Sequence, residues 1–322
     1  MNSSISKQIG KWLLAAALCL LAALPARAEE SVAYGSVGGP SAALWPLLIA
    51  QTKGLFTASG VKVEVIYAPS SAAVQQQLAA GSMQMGDGGL NDPIRAIYEG
   101  APIALVRLEG QVPPYALNGK PQIKSIKELR GKTIMIGGAK DITLTYLKAM
   151  LEPNGLKDGD YDLTYAGSTI ARFSALQSGA VDAAMLFPPF NFHAAAAGFS
   201  DLGLVYEYMK LPFLGMVANR PWALQHKQAL AEFLDAYGKA VAWYEDPKNR
   251  AEAAKILVDA SHQTQADTEQ SYDFYRKIGF FEPKGEISRK KIQGVIDTLK
   301  SEFTRPFSVD QMFLPGDPHV VD

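Results

Sequence analysis

The chain has 322 residues, 31 basic and 32 acidic, and 48% of it is hydrophobic. This balance shows no basic stripe of the kind nucleic-acid binding needs, and one cysteine, Cys19, builds no disulfide framework. The length suffices for one full core or two.

The first 28 residues read as an export signal. Lys7 and Lys11 precede an apolar run from Trp12 to Leu24, followed by Pro25 and the small-x-small triplet Ala26-Arg27-Ala28. A retained membrane anchor is the alternative, but a span needs ~20 apolar residues. Pro25 and the triplet favour cleavage after Ala28, leaving a chain that starts at Glu29. Lipid attachment at Cys19 calls for a small residue before it, and Leu18 stands there. The cleaved chain has 28 basic and 32 acidic residues, a formal charge of −4, and no thiol for nucleophilic or metal chemistry. No later apolar run reaches spanning length, so a soluble, exported protein is expected.

After the signal, Ser31 to Gly39 predicts a strand running into a Gly-Gly loop, and "SAALWPLLIAQTKGLF" a helix ending near Gly54. Val61 to Ala68 alternates as a strand does. "SSAAVQQQLAAG" starts with hydroxyls and ends in glycine, as a capped helix does. "MQMG" is a short strand, "NDPIRAIYEG" a helix with Pro93 in its first turn, and "PIALVRL" a strand. This alternation predicts a parallel sheet with crossover helices.

The pattern then restarts. Lys132 to Gly138 is a strand into a second Gly-Gly loop, "DITLTYLKAMLEPNG" a helix, "YDLTYAG" a strand, "STIARFSALQSG" a helix and "VDAAMLF" a strand. Ser70 lies 11 residues before Gly81, and Ser168 lies 11 before Gly179. Ser71 matches Thr169, and Leu78 matches Leu176. Leu-x-x-Gly alone is common at helix ends. The joint match of hydroxyl pair, Leu, Gly and upstream Gly-Gly predicts two α/β lobes of similar plan. From Pro221 the chain turns helical with no strand partners of its own, and these helices are expected to pack back onto the lobes. Phe233, Tyr237, Trp243 and Tyr244 read as core.

Several chemical motifs fail on spacing. "GKT" at Gly131 to Thr133 would need a P-loop glycine at Ile126, and it precedes its strand. Asp158, Asp160 and Asp162 have calcium-loop spacing, but the required glycine falls on Leu163 and the last ligand on Thr169. His193, His226, His262 and His319 form no metal-binding pair; only His193 lies near a strand end. No G-x-S-x-G motif supports a nucleophilic serine. What remains is a set of helix N-termini. In each lobe a Gly-Gly loop and a Ser-Ser or Ser-Thr pair precede helices, at the strand ends where α/β sheets bind ligands. Free N–H groups and the helix dipole there favour an anion without a basic residue. Taken singly, each hydroxyl is a plain N-cap. Their convergence on one cleft is what would make a site.

These phrases carry a likeness. With "WPLLIAQTKGLFTASGVKVEVI", "QQQLAAGSMQMGDGG", "EGAPIALV", "SIKELRGKTIMIG" and "ALQSGAVDAAMLFPP" in order, the chain resembles the periplasmic solute-binding proteins of ABC importers, nitrate/sulfonate/taurine type. The resemblance implies a two-lobed α/β periplasmic binding protein of type II, each lobe a mainly parallel sheet flanked by helices, with a helical C-terminal part. Residues 29–112 would begin lobe one, 113–214 form lobe two, and 215–322 return to lobe one, with crossings near "PPYALNG" and "PFLGMVAN". The implied ligand loops fall on Gly38, Gly39, Pro40 and Ser41, on Ser70 and Ser71, on Gly88 and Gly89, on Asp141 and Thr143, on Ser168 and Thr169, and on Phe187 and Pro188. Asp141 would repel an anion unless it caps its own helix. Phe187 and Phe190 suggest an apolar part to the ligand, which bare nitrate lacks.

The implied function is capture of a small organic anion, a sulfonate or carboxylate with aromatic ones included, for delivery to a membrane permease and its cytoplasmic ATPase. No cofactor, metal or nucleic acid is implied, and a monomer is expected. Lys140 and Arg107 are the runner-up anion donors. An enzyme on the same fold, desulfinase-like or pyrimidine-synthase-like, is the competing reading; its cysteine or histidine-rich chemistry is missing after residue 28. A periplasmic ligand sensor is a third.

Overall fold

The computed structural model describes residues 29–322; the export signal and cleavage site expected from the sequence, and Cys19, lie outside them. The chain opens with β1 (Glu30–Val37), which ends at Gly38 with a φ of 76°. A short 3-10 turn then leads into α1 (Trp45–Thr52), with Pro46 in its first turn. There follow α2 (Leu55–Ala58), β2 (Val61–Ala68), α3 (Ser71–Ala79), β3 (Met85–Gly89), α4 (Asn91–Tyr98) and β4 (Ile103–Gly110). The second run holds β5 (Ala116–Gly119), β6 (Thr133–Ile136), α5 (Ile142–Leu151), β7 (Asp162–Tyr165), α6 (Thr169–Gln177), β8 (Ala183–Leu186), α7 (Phe190–Ala196), β9 (Ser200–Leu204) and α8 (Val205–Tyr208). Then come β10 (Leu214–Asn219), α9 (Arg220–Gln225), α10 (Lys227–Glu245), α11 (Arg250–Ser261), α12 (Gln265–Ile278), β11 (Ile287–Ser288), α13 (Arg289–Thr298) and β12 (Val320–Val321).

Two five-stranded sheets result, ordered β2-β1-β3-β10-β4 and β7-β6-β8-β5-β9. Each is mostly parallel and flanked by helices, as the two-lobed α/β expectation requires. Each also holds antiparallel pairings that a purely parallel sheet does not. β10 runs antiparallel between β3 and β4, and β5 runs antiparallel between β8 and β9. The reason is topological. Both strands enter their sheet from the opposite lobe, at the carboxyl end of the parallel strands, and can only run back along them. Gly215 permits the fit of β10: a Cβ there would meet Leu105 Cδ1 at 2.5 Å.

The same pairings fix how the sheets face. β4 leaves lobe one at Gly110, and β5 enters lobe two at Ala116, opposite Leu186 at the carboxyl end of β8. On the return, Leu214 pairs with Gly89 at the carboxyl end of β3. Residues 111–115 and 209–213 therefore join the carboxyl ends of both sheets, and those ends confront one another across the crossings.

The C-terminal helices go mainly to lobe one. α10 packs on α1 and α2, and α11 on α1 and α12. The Trp45 indole donates to the Ala253 carbonyl at 2.7 Å. Phe233, Tyr237 and Tyr244 are buried there. The tail is mostly helical, and β11 and β12 add a small parallel pair. The helix predicted to continue through His226 breaks there into α9 and α10, since the φ of −113° and ψ of 43° at His226 are not helical.

Candidate ligand-binding cleft

The helix caps lie at the confronting sheet ends. Ser70 takes an extended backbone and its Oγ accepts from the Ala73 N–H at 3.2 Å. Ser168 does the same in lobe two, accepting from Ala171 N–H at 3.2 Å. α5 is capped by Asp141, whose Oδ1 accepts from Thr143 N–H at 2.9 Å and from the Thr143 hydroxyl. Thr143 Oγ1 in turn accepts from Gly137 N–H at 2.8 Å. The Asp141 charge is thus engaged by its own helix. Ser41 precedes the 3-10 turn and caps nothing.

The lobes touch along two rims. On one, the Asn91 amide donates to Thr145 Oγ1 at 3.4 Å and Arg95 donates to the Lys140 carbonyl at 2.9 Å. On the other, His193 Nε2 lies 2.7 Å from Asp267 Oδ1, and Phe192 meets Phe274 edge-on at 5.5 Å. Between the rims the crossings carry an aromatic cluster. Tyr115 is 5.7 Å from Tyr146, 5.1 Å from Phe187 and 5.8 Å from Phe213, ring centre to ring centre. Tyr275 reaches Phe187 at 6.4 Å. The Tyr146 and Tyr275 hydroxyls are buried and unpartnered, although buried polar atoms are normally hydrogen-bonded.

Behind the Ser168 cap sits a buried base, Arg172, 2% exposed. Its guanidinium donates to the carbonyls of Met185, Ala166 and Gly167 and to Thr169 Oγ1, at 2.7–3.0 Å. Burial pulls its pKa down from the ordinary arginine value, while Tyr115 and Asp141 favour its charge. Burial also lifts the Tyr115 hydroxyl to about 12, against the pull of Arg172. Lobe one holds buried acids instead. Asp87 and Glu109 are 4% and 2% exposed. Burial raises both, Asp87 to about 7 against hydrogen bonds from Ser36 and Tyr34, and Glu109 to about 8 with the Asp87 charge adding to the rise. At the α3 N-terminus, Ser71 Oγ and both polar atoms of the Gln75 amide are buried without partners. They lie directly over Gly88, where a Cβ would meet them at 2.6 and 2.7 Å.

Residues 42–250 match the family described as NMT1/THI5 like. The chain belongs to that family. Among curated proteins none matches it by sequence. Solved structures share the NMT1/THI5-like chain's fold at low identity. The alkanesulfonate-binding protein SsuA of Xanthomonas axonopodis pv. citri, bound to MOPS, is 19% identical at a TM-score of 0.71, covering 92% of this chain and 99% of that one. The periplasmic aliphatic sulphonate binding protein SsuA of Escherichia coli is 18% identical at 0.74, covering 88% and 97%. A DszB variant in complex with biphenyl-2-sulfinic acid is 15% identical at 0.67, covering 90% and 97%.

Within this NMT1/THI5-like chain the structure sorts the expected site residues. Ser70, Ser71, Gly88 and Gly89 stand at the carboxyl end of the first sheet, and Asp141, Thr143, Ser168 and Thr169 at that of the second. Gly38, Gly39, Pro40 and Ser41 follow β1 at the same end as Ser70. Phe187 joins the aromatic cluster, and Pro188 is buried beside it in sequence. The Phe190 ring packs apart from that of Phe187, on Phe173 at 5.9 Å and His193 at 5.7 Å, although the Phe190 N–H donates to the Phe187 carbonyl at 3.0 Å. The runner-up cations differ in position: Lys140 directly precedes the Asp141 cap, and Arg107 lies inside the first sheet. Arg107 is buried and donates to the carbonyls of Glu282 and Pro283, and the Lys140 ammonium acts on Glu302.

Sequence reasoning missed Arg172. The signal was available: an arginine four residues after Ser168, on the face of α6 that also buries Phe173 and Leu176. A charge on an apolar stripe must be satisfied locally. Asp87 and Glu109 were missed for the same reason, being acids inside strand patterns.

Proposed function

We propose that the chain is the exported substrate-binding component of an ABC importer, which captures a small organic anion in the cleft and delivers it to a membrane permease with its cytoplasmic ATPase. The anion class is a sulfonate or carboxylate, aromatic ones included. What supports this is the placing of hydroxyl-capped helix N-termini at the confronting carboxyl ends of both sheets, with an aromatic cluster that carries unpartnered phenol hydroxyls at the crossings. An anion accepts from such donors, and each charge-assisted bond is worth roughly 1.5–3 kcal/mol. Three or four supply much of the ~8 kcal/mol of micromolar binding. The sulfonate-binding fold neighbours support this class. Arg172, behind the Ser168 cap, adds positive potential to that wall.

Isothermal calorimetry with hexanesulfonate, benzenesulfonate, benzoate and nitrate tests the reading. At least one organic anion should bind in the micromolar range, and Ser168→Ala should weaken it about tenfold to a hundredfold. Silence across all four, with the protein folded, overturns it. The DszB fold neighbour favours a second reading, an enzyme acting on an organosulfur acid. Turnover of a bound sulfonate or sulfinate by the purified protein would establish that reading, and unchanged ligand recovered after binding would remove it.

A further inference from the structure

Asp87 and Glu109 lie on β3 and β4, the two strands that flank β10. Asp87 pairs with Met216, and Met216 with Arg107, two residues from Glu109 on the same strand. Among the described residues no cation hydrogen-bonds either carboxyl. Both Asp87 oxygens accept from the Ser36 hydroxyl, at 3.0 and 2.9 Å. Glu109 Oε1 accepts from the Tyr34 hydroxyl at 3.4 Å, and Glu109 Oε2 has no partner. The nearby guanidinium of Arg107 donates from Nη2 to main-chain carbonyls, lies over the Tyr237 ring at 5.1 Å and favours the charged form of Glu109 without hydrogen-bonding it.

The groups facing the pair can be named element by element. β1 supplies Tyr34 and Ser36, and β2 supplies Tyr67, whose hydroxyl is raised first by burial and then by the Asp87 charge. β4 supplies Arg107, and α10 supplies Tyr237 with an unpartnered hydroxyl near Glu109. The segment before β11 supplies Glu282, whose carboxylate accepts from the Glu286 N–H. The two buried carboxyls act on one another through their charge, and the one guanidinium near Glu109 offsets at most one of them, so both cannot ionise cheaply and the pair retains a proton.

The position of the pair gives that proton a mechanical role. Glu109 immediately precedes Gly110, where the first crossing leaves. The Glu109 carbonyl accepts from Glu282 N–H at 2.9 Å, and the Gly110 carbonyl from Phe213 N–H at 2.8 Å. Leu90, just past β3, donates its N–H to the Phe213 carbonyl at 3.0 Å. Both crossings are thus anchored within a few residues of the two carboxyls.

We propose that the proton held between Asp87 and Glu109 latches the lobe-one root of both crossings, and that its loss to solvent loosens the hinge between the lobes. With the proton gone, two buried carboxylates repel beneath β10, and opening the root to water relieves them. The device needs only the fold and holds whatever the cleft binds.

Hydrogen exchange of the full chain, corrected for intrinsic rates, tests this at pH 5.5 and pH 8.5. Peptides covering 107–115 and 209–216 should lose protection by about tenfold or more at the higher pH, the change that a tenfold difference in proton affinity between closed and open root gives. Peptides of the lobe-two sheet, β6 and β8, should hold theirs. Glu109→Gln, which cannot ionise, should flatten the response, and Asp87→Asn provides the same test should the first variant fold poorly. Equal pH responses in both lobes, or a Glu109→Gln protein with the wild-type response, overturns the latch.

Discussion

The two lobes share a backbone plan and differ in what they bury behind it. Each caps a helix with a serine at the carboxyl end of an edge strand, Ser70 after β2 and Ser168 after β7, with the same 3.2 Å bond to the third residue on. Behind Ser168 stands Arg172, with every guanidinium nitrogen engaged. Behind Ser70 stand the unpartnered Gln75 amide and, across the sheet, two acids without a hydrogen-bonded cation. The lesson is that the repeated element supplies geometry, while the unrepeated buried charges supply potential. Lobe two carries behind its cap a buried cation whose donors are all engaged. Lobe one carries buried acids across its sheet and, at its cap, unpartnered polar atoms of Ser71 and Gln75.

The contrast breaks most sharply at Arg172. Replacing it by Met strands buried carbonyls, and unsatisfied groups at about 1–3 kcal/mol each put the loss of stability near 3–5 kcal/mol. Arg172→Lys should recover only part, because an ammonium lacks the planar fork that meets several carbonyls at once. Urea unfolding of both variants measures this; a neutral Arg172→Met would show the guanidinium to be dispensable.

The acids of lobe one predict a pH profile of opposite origin. Their folded pKa values lie above the unfolded ones, so between pH ~4 and ~8 the folded state holds more protons, at about 1.4 kcal/mol for each tenfold gain in proton affinity on folding. Their contribution is full below pH ~4, declines as pH rises, and levels off above the folded values. Surface carboxylates act the other way: Lys120 holds Asp182 low and Arg250 holds Asp273 low, so their stabilisation fades as pH falls through those lowered values. Thermal melting should therefore peak in mild acid. Glu109→Gln should move the peak toward neutrality, and an unmoved peak would mean other groups set it.

A smaller effect sharpens the lobe-one side. Gly88→Ala pushes a methyl into Ser71 and Gln75, an overpacking cost of typically 1–3 kcal/mol. It should also weaken any anion bound at that wall, read by calorimetry. The smallest effect compares the caps directly. Ser70→Ala and Ser168→Ala should each cost about 0.5–2 kcal/mol of stability, nearly equal if the caps are equivalent. Affinity for the bound anion should fall further for Ser168→Ala, where Arg172 adds potential. Equal losses of affinity would mean that the buried arginine contributes nothing to the wall.

Much of this was legible in the sequence. The alternating strands and helices up to β4 and again from β6 to β8, and the paired serine caps, follow from periodicity, capping residues and spacing; β5 was not read, and the crossings near Pro113 and Pro212 came from the family resemblance. β10 was not legible as a partner of β3 and β4, because "LGMVAN" carries no signal of which sheet receives it; that depends on the path of the whole chain. That the Phe187 and Phe190 rings join different clusters was not legible either, because adjacency in sequence says nothing about facing once a helix begins between them. Arg172, Asp87 and Glu109 escaped because a charged residue inside an apolar stripe looks like noise until its hydrogen-bond partners, distant in sequence, are brought to it.

The placement of β10 also sets an order of assembly. Lobe two is one uninterrupted stretch of chain, and its strands β5 to β9 find each other without help from either flank. The first sheet cannot close until β10 arrives, because β3 and β4 have no pairing with each other and each waits for the strand that follows lobe two. Contacts between distant segments form late, since loop closure precedes their reward. Lobe two should therefore gain protection first in a pulse-labelled refolding experiment, with β4 and β10 becoming protected together and last. Simultaneous protection of β3 and β4 ahead of lobe two would contradict that order. Until β10 docks, β3 and β4 present open strand edges, the part of a nascent chain most prone to pair with a neighbour.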